Sequence, residues 1–326
     1  MNHQRILVTG GTGFLGAALV RRLIANQHTV RVLDNGFRSS IKRLADIQDN
    51  VEFIEADIRD DRAVAQAICG MDVVIHLAAV NGTEFFYSKP TLVLEVGIRG
   101  ILNVLNGCLQ EGVSKLFVAS SSEVYQTPLN IPTSETEFLK VPDPLNPRYS
   151  YGGSKIITEL LALNYGFSQF ERVVVFRPHN VYGPAMGHEH VLPQFILRAI
   201  EQISKHPSGP IPFDIQGNGT QTRAFIHIND MVDGILLLLE KGIHLNIYHV
   251  GTETEITMAD LAKKVVNYFQ REIQLKFNPL LLGSTERRCP NINKIKALGF
   301  NPKISLDAGL PSIIEWYTEG DPKVGR

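Results

Sequence analysis

The chain has 326 residues, 44% apolar and 20% charged, a length that predicts about two domains and a composition that can bury a sizeable core. Thirty-two Lys and Arg oppose 33 Asp and Glu, so a formal net charge of −1 provides no field to draw nucleic acid or an anionic membrane surface. The longest aliphatic run, Ile235–Leu239, falls far short of the roughly 20 residues of a membrane span, the polar start Met1–Arg5 does not read as a signal peptide, and three scattered cysteines (Cys69, Cys108, Cys289) imply neither a disulfide framework nor a metal site, as expected of a cytoplasmic chain.

In chain order, near-continuous apolar runs at Arg5–Thr9, Thr29–Asp34, Val51–Asp57, Asp72–Ala79, Lys115–Ser121 and Arg172–Arg177 read as strands buried on both faces. Helical spacing recurs between them at Phe14–Ala25, Asp61–Cys69, Pro90–Glu111 and Tyr151–Phe170. The alternation predicts an α/β fold: a doubly wound parallel sheet of Rossmann type with right-handed crossovers. Five prolines between Gln126 and Arg148 forbid a long helix there, and so long a connection is expected to wall a site. After Pro178 the pattern turns Gly/Pro-rich around one helix at Leu192–Ile203. Arg223–Ile228, a helix at Asp230–Lys241 and a strand at Asn246–Val250 then read as a return to the sheet. Met258–Phe269 reads as a helix with Thr257 as its N-cap. These segments predict interleaved domains, 1–178 plus 222–252 for the sheet and 179–221 plus 253–320 for a smaller α/β part.

Residues 9–16, T-G-G-T-G-F-L-G, follow a strand and open a helix. A pyrophosphate requires a tight turn, close backbone approach and free amides at a helix N-terminus, which Gly10, Gly13 and Gly16 with Phe14 and Leu15 can supply. Asp34 ends the next strand and can accept from both ribose hydroxyls of an adenosine, while repelling a 2′-phosphate. With Asn35 following it, the pattern favours NAD over NADP. Arg38 reads as a solvated loop arginine. Asp57 and Ile58 are candidates for the adenine side, although a turn aspartate accounts for Asp57 equally well.

Tyr151 and Lys155 share one face at a helix start. To act as a base near neutrality a tyrosine must fall about 3 units from its pKa of ~10, and a Lys ammonium one turn away, with the cation of an oxidised nicotinamide, is the expected source. Ser121, at a strand end, supplies a hydroxyl to orient a substrate oxygen. Gly187-His188-Glu189-His190 is too tightly spaced for a metal site on one helix face.

Together, T-G-G-T-G-F-L-G, H-L-A-A (76–79), A-S-S-S-E-V-Y (119–125), Y-G-G-S-K (151–155), R-P-H-N-V-Y-G-P (177–184), Q-T-R-A-F-I-H-I-N-D (221–230) and E-R-R-C-P (286–290) resemble the extended short-chain dehydrogenase/reductase family, in its nucleotide-sugar epimerase/dehydratase branch. The resemblance implies NAD on the sheet domain, with Leu77, Ala78, Ala79, Ser120 and Pro178 also lining its site. It implies a nucleoside diphosphate sugar under the smaller domain, contacted by Ser122, Asn180, Arg223 and Arg288, and a homodimer through the helices near 90–111 and 151–170. It further implies that Tyr151, Lys155 and Ser121 remove hydrogen from the sugar, usually at C4, and that the hydride is later returned.

Glu123 leaves the second half of the reaction open. Ser-Ser-Glu resembles the Thr-Ser-Glu of UDP-glucuronate decarboxylases, a Glu base also suits epimerisation beside a ketone, and a structural carboxylate is the third reading. The leading expectation is an epimerase-type enzyme without net redox change. A UDP-glucuronate decarboxylase, a net 4-keto-sugar reductase and a non-catalytic dinucleotide sensor are the alternatives, the last opposed by the presence of both Tyr151 and Lys155. Three positions depart from the family: Gly97 for an asparagine, His179 for an apolar or phenylalanine-like residue, and Ala185 for the arginine of similar decarboxylases.

Overall fold

The computed structural model describes residues 3–279 and 285–319, so the parts of the expected domains at 1–2, 280–284 and 320 lie outside it. Strands β1 (Arg5–Thr9), β2 (Thr29–Asp34), β3 (Val51–Glu55), β4 (Val73–His76), β5 (Lys115–Ala119) and β6 (Arg172–Pro178) alternate with helices α1 (Phe14–Ala25), α2 (Asp61–Ile68), α3 (Thr83–Ser88), α4 (Pro90–Glu111) and α5 (Ser150–Gln169). Beyond β6 come β7 (Val181–Tyr182), α6 (Val191–Lys205), β8 (Ile211–Gln216), β9 (Thr222–Ala224), β10 (Ile226–His227), α7 (Ile228–Lys241) and β11 (Asn246–Val250). The chain continues through β12 (Glu255–Thr257), α8 (Met258–Tyr268), β13 (Ile273–Asn278), β14 (Arg287–Arg288), α9 (Asn293–Lys296) and α10 (Leu306–Thr318).

Seven strands pair in parallel in the order β11-β6-β5-β4-β1-β2-β3, the expected doubly wound sheet. The strand order reverses at the β1–β4 junction, where a crevice opens at the carboxyl ends. One face is covered by Leu19, Val20 and Leu23 of α1 with Ile235 and Leu238 of α7, the other by Val64 and Ile68 of α2, Ile101, Val104 and Leu105 of α4 and Ala162 of α5. By length and mean hydropathy α4 could cross a bilayer, but half of it is buried in this fold, packed between α2 and α5. Close approach of α4 to α5 explains Gly97: a Cβ there would lie 2.8 Å from Ser154 Cβ, leaving no room for an asparagine.

A second, smaller core joins Tyr182, Phe195, Phe213, Leu261, Val265 and Ile313 across α6, β8, α8 and α10. Thr257 caps α8 as expected, its hydroxyl accepting from Asp260 N at 3.0 Å. The reading of Arg223–Ile228 as a return to the sheet is corrected: β9 pairs with β12 and β14, and β10 pairs with β7. β11 already occupies the place beside β6; α7 and β11 rejoin the larger layer, and Ile292, Ile295 and Phe300 around α9 also pack into its core.

Candidate active site

The glycine loop sits at the β1–β4 junction. Gly10 N donates to Leu33 O at 2.8 Å, and its left-handed φ of +73° and a Cβ position 2.9 Å from Ala78 N admit only glycine. A Cβ on Gly16 would lie 2.2 Å from Gly10 O. Gly13 caps α1 with no side chain bonded to the first-turn amides, so the backbone offers free donors beside a surface stripped of Cβ atoms. That cradle fits a pyrophosphate. It floors a cavity of about 710 Å³, lined by Gly10, Gly13, Phe14, Leu15, Gly16, Asp34, Asn35, Asp57, Ile58, Leu77, Ala78, Ala79, Ser120 and Pro178, all of the expected cofactor set besides Tyr151 and Lys155, which also border it. Asp34 accepts from Thr12 N at 3.1 Å and Gly36 N at 2.9 Å, which aims the carboxylate at the cavity. Asp57 accepts from the Arg59 side chain at 2.9 Å and from Asn35 Nδ2 at 3.0 Å, and this pairing with Arg59 holds it at about 2, so it is both a turn aspartate and part of the wall.

Ser121 lies past the end of β5, not on it. Its hydroxyl caps the short 3₁₀ turn Ser122–Val124, accepting from Glu123 N at 3.2 Å, and the same side chain bonds the Tyr151 phenol. Lys155 Nζ donates to Ala119 O at 2.7 Å and lies 5.9 Å from the Tyr151 ring centroid. The expected acidification of the tyrosine by this lysine is corrected for the residues alone. Burial pushes the phenol up to about 12, and only Ser121 and Arg38 oppose it. Burial likewise pulls Lys155 down to about 8, against the pull of Glu159. For both groups desolvation is the dominant cause.

Beneath them runs a buried polar network. Ser120 Oγ donates to Glu159, and Glu159 takes two bonds from Arg177, at 2.7 and 2.5 Å. Arg177 also reaches the Tyr125 hydroxyl, which meets His249 Nε2 at 2.5 Å. His179 stacks edge-on to His249 with centroids 4.6 Å apart, and burial holds it well below its ordinary pKa, so it fills an apolar position as a neutral ring.

At the sugar end, Glu123 Oε1 accepts from Arg288 Nη1 at 2.7 Å, and its other oxygen lies 3.9 Å from Arg148. Burial alone would raise this carboxyl, but the charges of Arg288 and Arg148 prevail and leave it below its ordinary value. Ser122, Glu123, Asn180 and Arg288 border the cavity. Arg223 does not: its guanidinium donates at 2.7 Å to the Thr222 and Thr285 carbonyls behind Arg288. The proline-rich connection 126–148 does not line the cavity either. It braces the site from outside, with Thr133 N donating to Cys289 O at 2.8 Å, Asn291 N to Thr133 O at 2.7 Å, and Arg148 approaching Glu123.

The reading of Arg38 as solvated is overturned. Its side chain is only 27% exposed, borders the cavity and pairs with Glu189. Asn81–Tyr87 (NGTEFFY), which follows the fourth strand, is expected from the sequence to face the sugar, and Phe86 within it stacks on Tyr151 at 5.1 Å and 10°; nothing in the sequence gives that orientation.

Residues 6–251 match the model of the NAD dependent epimerase/dehydratase family. The chain is 33% identical over 313 residues to UDP-glucuronic acid decarboxylase 1 of Arabidopsis thaliana, covering 95% of this chain and 69% of that protein. It is 28% identical over 328 residues to the UDP-N-acetyl-alpha-D-glucosaminuronate decarboxylase of Bacillus cytotoxicus, covering 97% and 98%. Among solved structures it is similar to a dTDP-glucose 4,6-dehydratase from Streptomyces venezuelae with NAD bound (TM-score 0.85, 27% identity, 97% of each chain). It is also similar to a UDP-glucose 4-epimerase from Thermotoga maritima with UDP-glucose (TM-score 0.84, 28% identity, 97% of this chain and 99% of that one).

Proposed function

The chain belongs to the NAD dependent epimerase/dehydratase family, and from that premise we propose that it oxidises a nucleoside diphosphate hexuronate at C4, lets the C6 carboxylate leave, and returns the hydride. NAD, when bound, supplies the hydride acceptor and donor. Gly10, Gly13 and Gly16 hold its pyrophosphate and Asp34 its adenosine ribose. Tyr151 takes the proton of the C4 hydroxyl, Ser121 orients that oxygen, and Lys155 fixes the backbone of Ala119 below them. With burial raising the phenol to about 12, Tyr151 requires further positive charge beside it before it can act as a base near neutrality.

One observation carries the choice of second step: Glu123 is tied to Arg288 and approached by Arg148. A carboxylate held this low is a weak base for a C–H bond, which disfavours epimerisation beside the ketone. Elimination of a hydroxyl needs a general acid, and Ser122 beside Glu123 is a poor one, which disfavours dehydration. A 4-keto-hexuronate is a β-keto acid, and it loses carbon dioxide without a base if cations stabilise the enolate that forms; that enolate then takes a proton at C5 from water, which restores the C4 ketone before the hydride returns. Arg288, which borders the cavity, is the cation we assign to that role. Four-epimerisation is the second reading, favoured by Ala185, where similar decarboxylases carry arginine.

Incubating the purified chain with UDP-glucuronate, UDP-N-acetylglucosaminuronate and their neutral counterparts, with products read by mass spectrometry and NMR, tests the proposal. Loss of carbon dioxide from a uronate is expected. Turnover of neutral sugars alone, at unchanged mass, would replace it with the second reading.

We also propose that the chain works as a homodimer through α4 and α5. Leu94, Ile157, Leu160 and Phe167 of these helices stand exposed, Leu160 at 54% and Phe167 at 71%.

A further inference from the structure

Arg38 and Glu189 come from loops far apart in the chain. Arg38 lies on the loop after β2, in the sheet layer, and Glu189 on the loop that enters α6, in the smaller part. Their side chains pair while 27% and 20% exposed, and the same guanidinium donates to Asn81 O and sits 5.3 Å from the Phe85 ring centroid. The surroundings are shaped to admit this contact. A Cβ on Gly187 would lie 2.3 Å from Glu189 Oε2, and one on Gly82 3.2 Å from Oε1, so both glycines leave space for the carboxylate. Phe37 packs on Phe85 at 5.6 Å, bracing the arginine loop against α3. Tyr317 donates to Met186 O, bracing the glutamate loop. One guanidinium thus joins three cavity-bordering segments: the β2 loop, the β4 loop and residues 187–190.

The geometry points to a clasp: the Arg38–Glu189 pair governs how fast NAD leaves the groove floored by Gly10, Gly13 and Gly16. The hydride taken from the sugar must return to the same molecule, so a cofactor that escapes in mid-cycle leaves a stranded ketone, and a slow exit protects the cycle. A partly buried ion pair between two loops is suited to this, because breaking it changes the rate of departure more than the rate of entry.

The inference rests on the dinucleotide part of the proposed function alone, so its test uses no sugar. The whole chain is loaded with labelled NAD and chased with excess unlabelled NAD. Arg38→Ala and Glu189→Gln are each expected to release label about two- to fivefold faster than the parent. The charge swap, Arg38→Glu with Glu189→Arg, is expected to slow release again relative to either of its component single variants. Glu189→Gln preserves shape, so a fold defect in the arginine variants, checked by thermal melting, still leaves the question decidable. Parent-like release from Glu189→Gln overturns the clasp, as does a well-folded charge swap that is no slower than its components. Failure of the parent to bind NAD at all would overturn the dinucleotide reading itself and is seen in the loading step.

Discussion

At Tyr151, burial and charge pull in opposite directions. The phenol is enclosed by Phe86 and stands near Glu123, both of which disfavour a phenolate, while Ser121 and Arg38 favour it. If this hydroxyl takes the sugar proton, Tyr151→Phe should lower turnover about a hundred- to ten-thousand-fold while NAD binding by titration stays as in the parent. Near-parental turnover would remove the tyrosine from the mechanism. Lys155 gives a second prediction. Its pKa in the fold, about 8, lies below its ordinary value of 10.5, so the unfolded chain holds more protons between those limits and stability rises with pH across that window. Comparing cofactor-free parent with Lys155→Met, the parent should gain up to about 2 kcal/mol of relative stability from pH 8 to 10, read by denaturant titration. No gain would mean that the ammonium is better solvated than its burial implies. The residues of both clusters were legible in the sequence, because glycine, serine, tyrosine and lysine spacings are local. The direction of the tyrosine shift was not, since it depends on how dry the site is. The same holds for Arg38 and Glu189, whose partnership is made by two loops far apart in the chain.

Among the elements, α4 and α5 set the geometry of the reacting side chains. Gly97 lets the helices meet at Ser154, one residue before Lys155, and the Thr158 hydroxyl donates to Ser154 O at 2.9 Å in the next turn. Gly97→Ala should therefore cost about 1–3 kcal/mol, measured by denaturant titration, because the new methyl meets a buried side chain. An unchanged stability would show that the helices can separate freely. The strands up to β6 and the helices α1, α2, α4 and α5 were readable from periodicity, and α4 was placed to the residue, whereas the short α3 was not read as a helix. What failed were short pieces decided by pairing partners. Residues 223–228 carry a strand-like pattern, but whether they join the large sheet depends on β11 taking the place beside β6, which no local pattern records.

For the whole molecule, two layers close on one crevice at the reversal of strand order, with the dinucleotide cradle on one side and Arg288 on the other. The exposed apolar faces belong to α4 and to α5, the helix that carries Tyr151, so dimerisation there would stiffen the site. Leu160→Glu should turn a dimer into a monomer in light scattering after size exclusion. A monomeric parent, or a variant that stays dimeric, would place the contact elsewhere. Doubly wound topology was evident from the alternation of elements, whereas the bracing of Glu123 by the proline-rich connection emerged only from the tertiary contacts.

The central claim is that hydrogen leaves C4 and comes back to the same carbon within one enzyme-bound cycle. A nucleotide sugar carrying deuterium at C4, turned over by the purified chain and examined by NMR, tests it most directly. The account predicts product with deuterium still on C4 and no build-up of reduced cofactor; label lost to water, or left on released NADH, would contradict it.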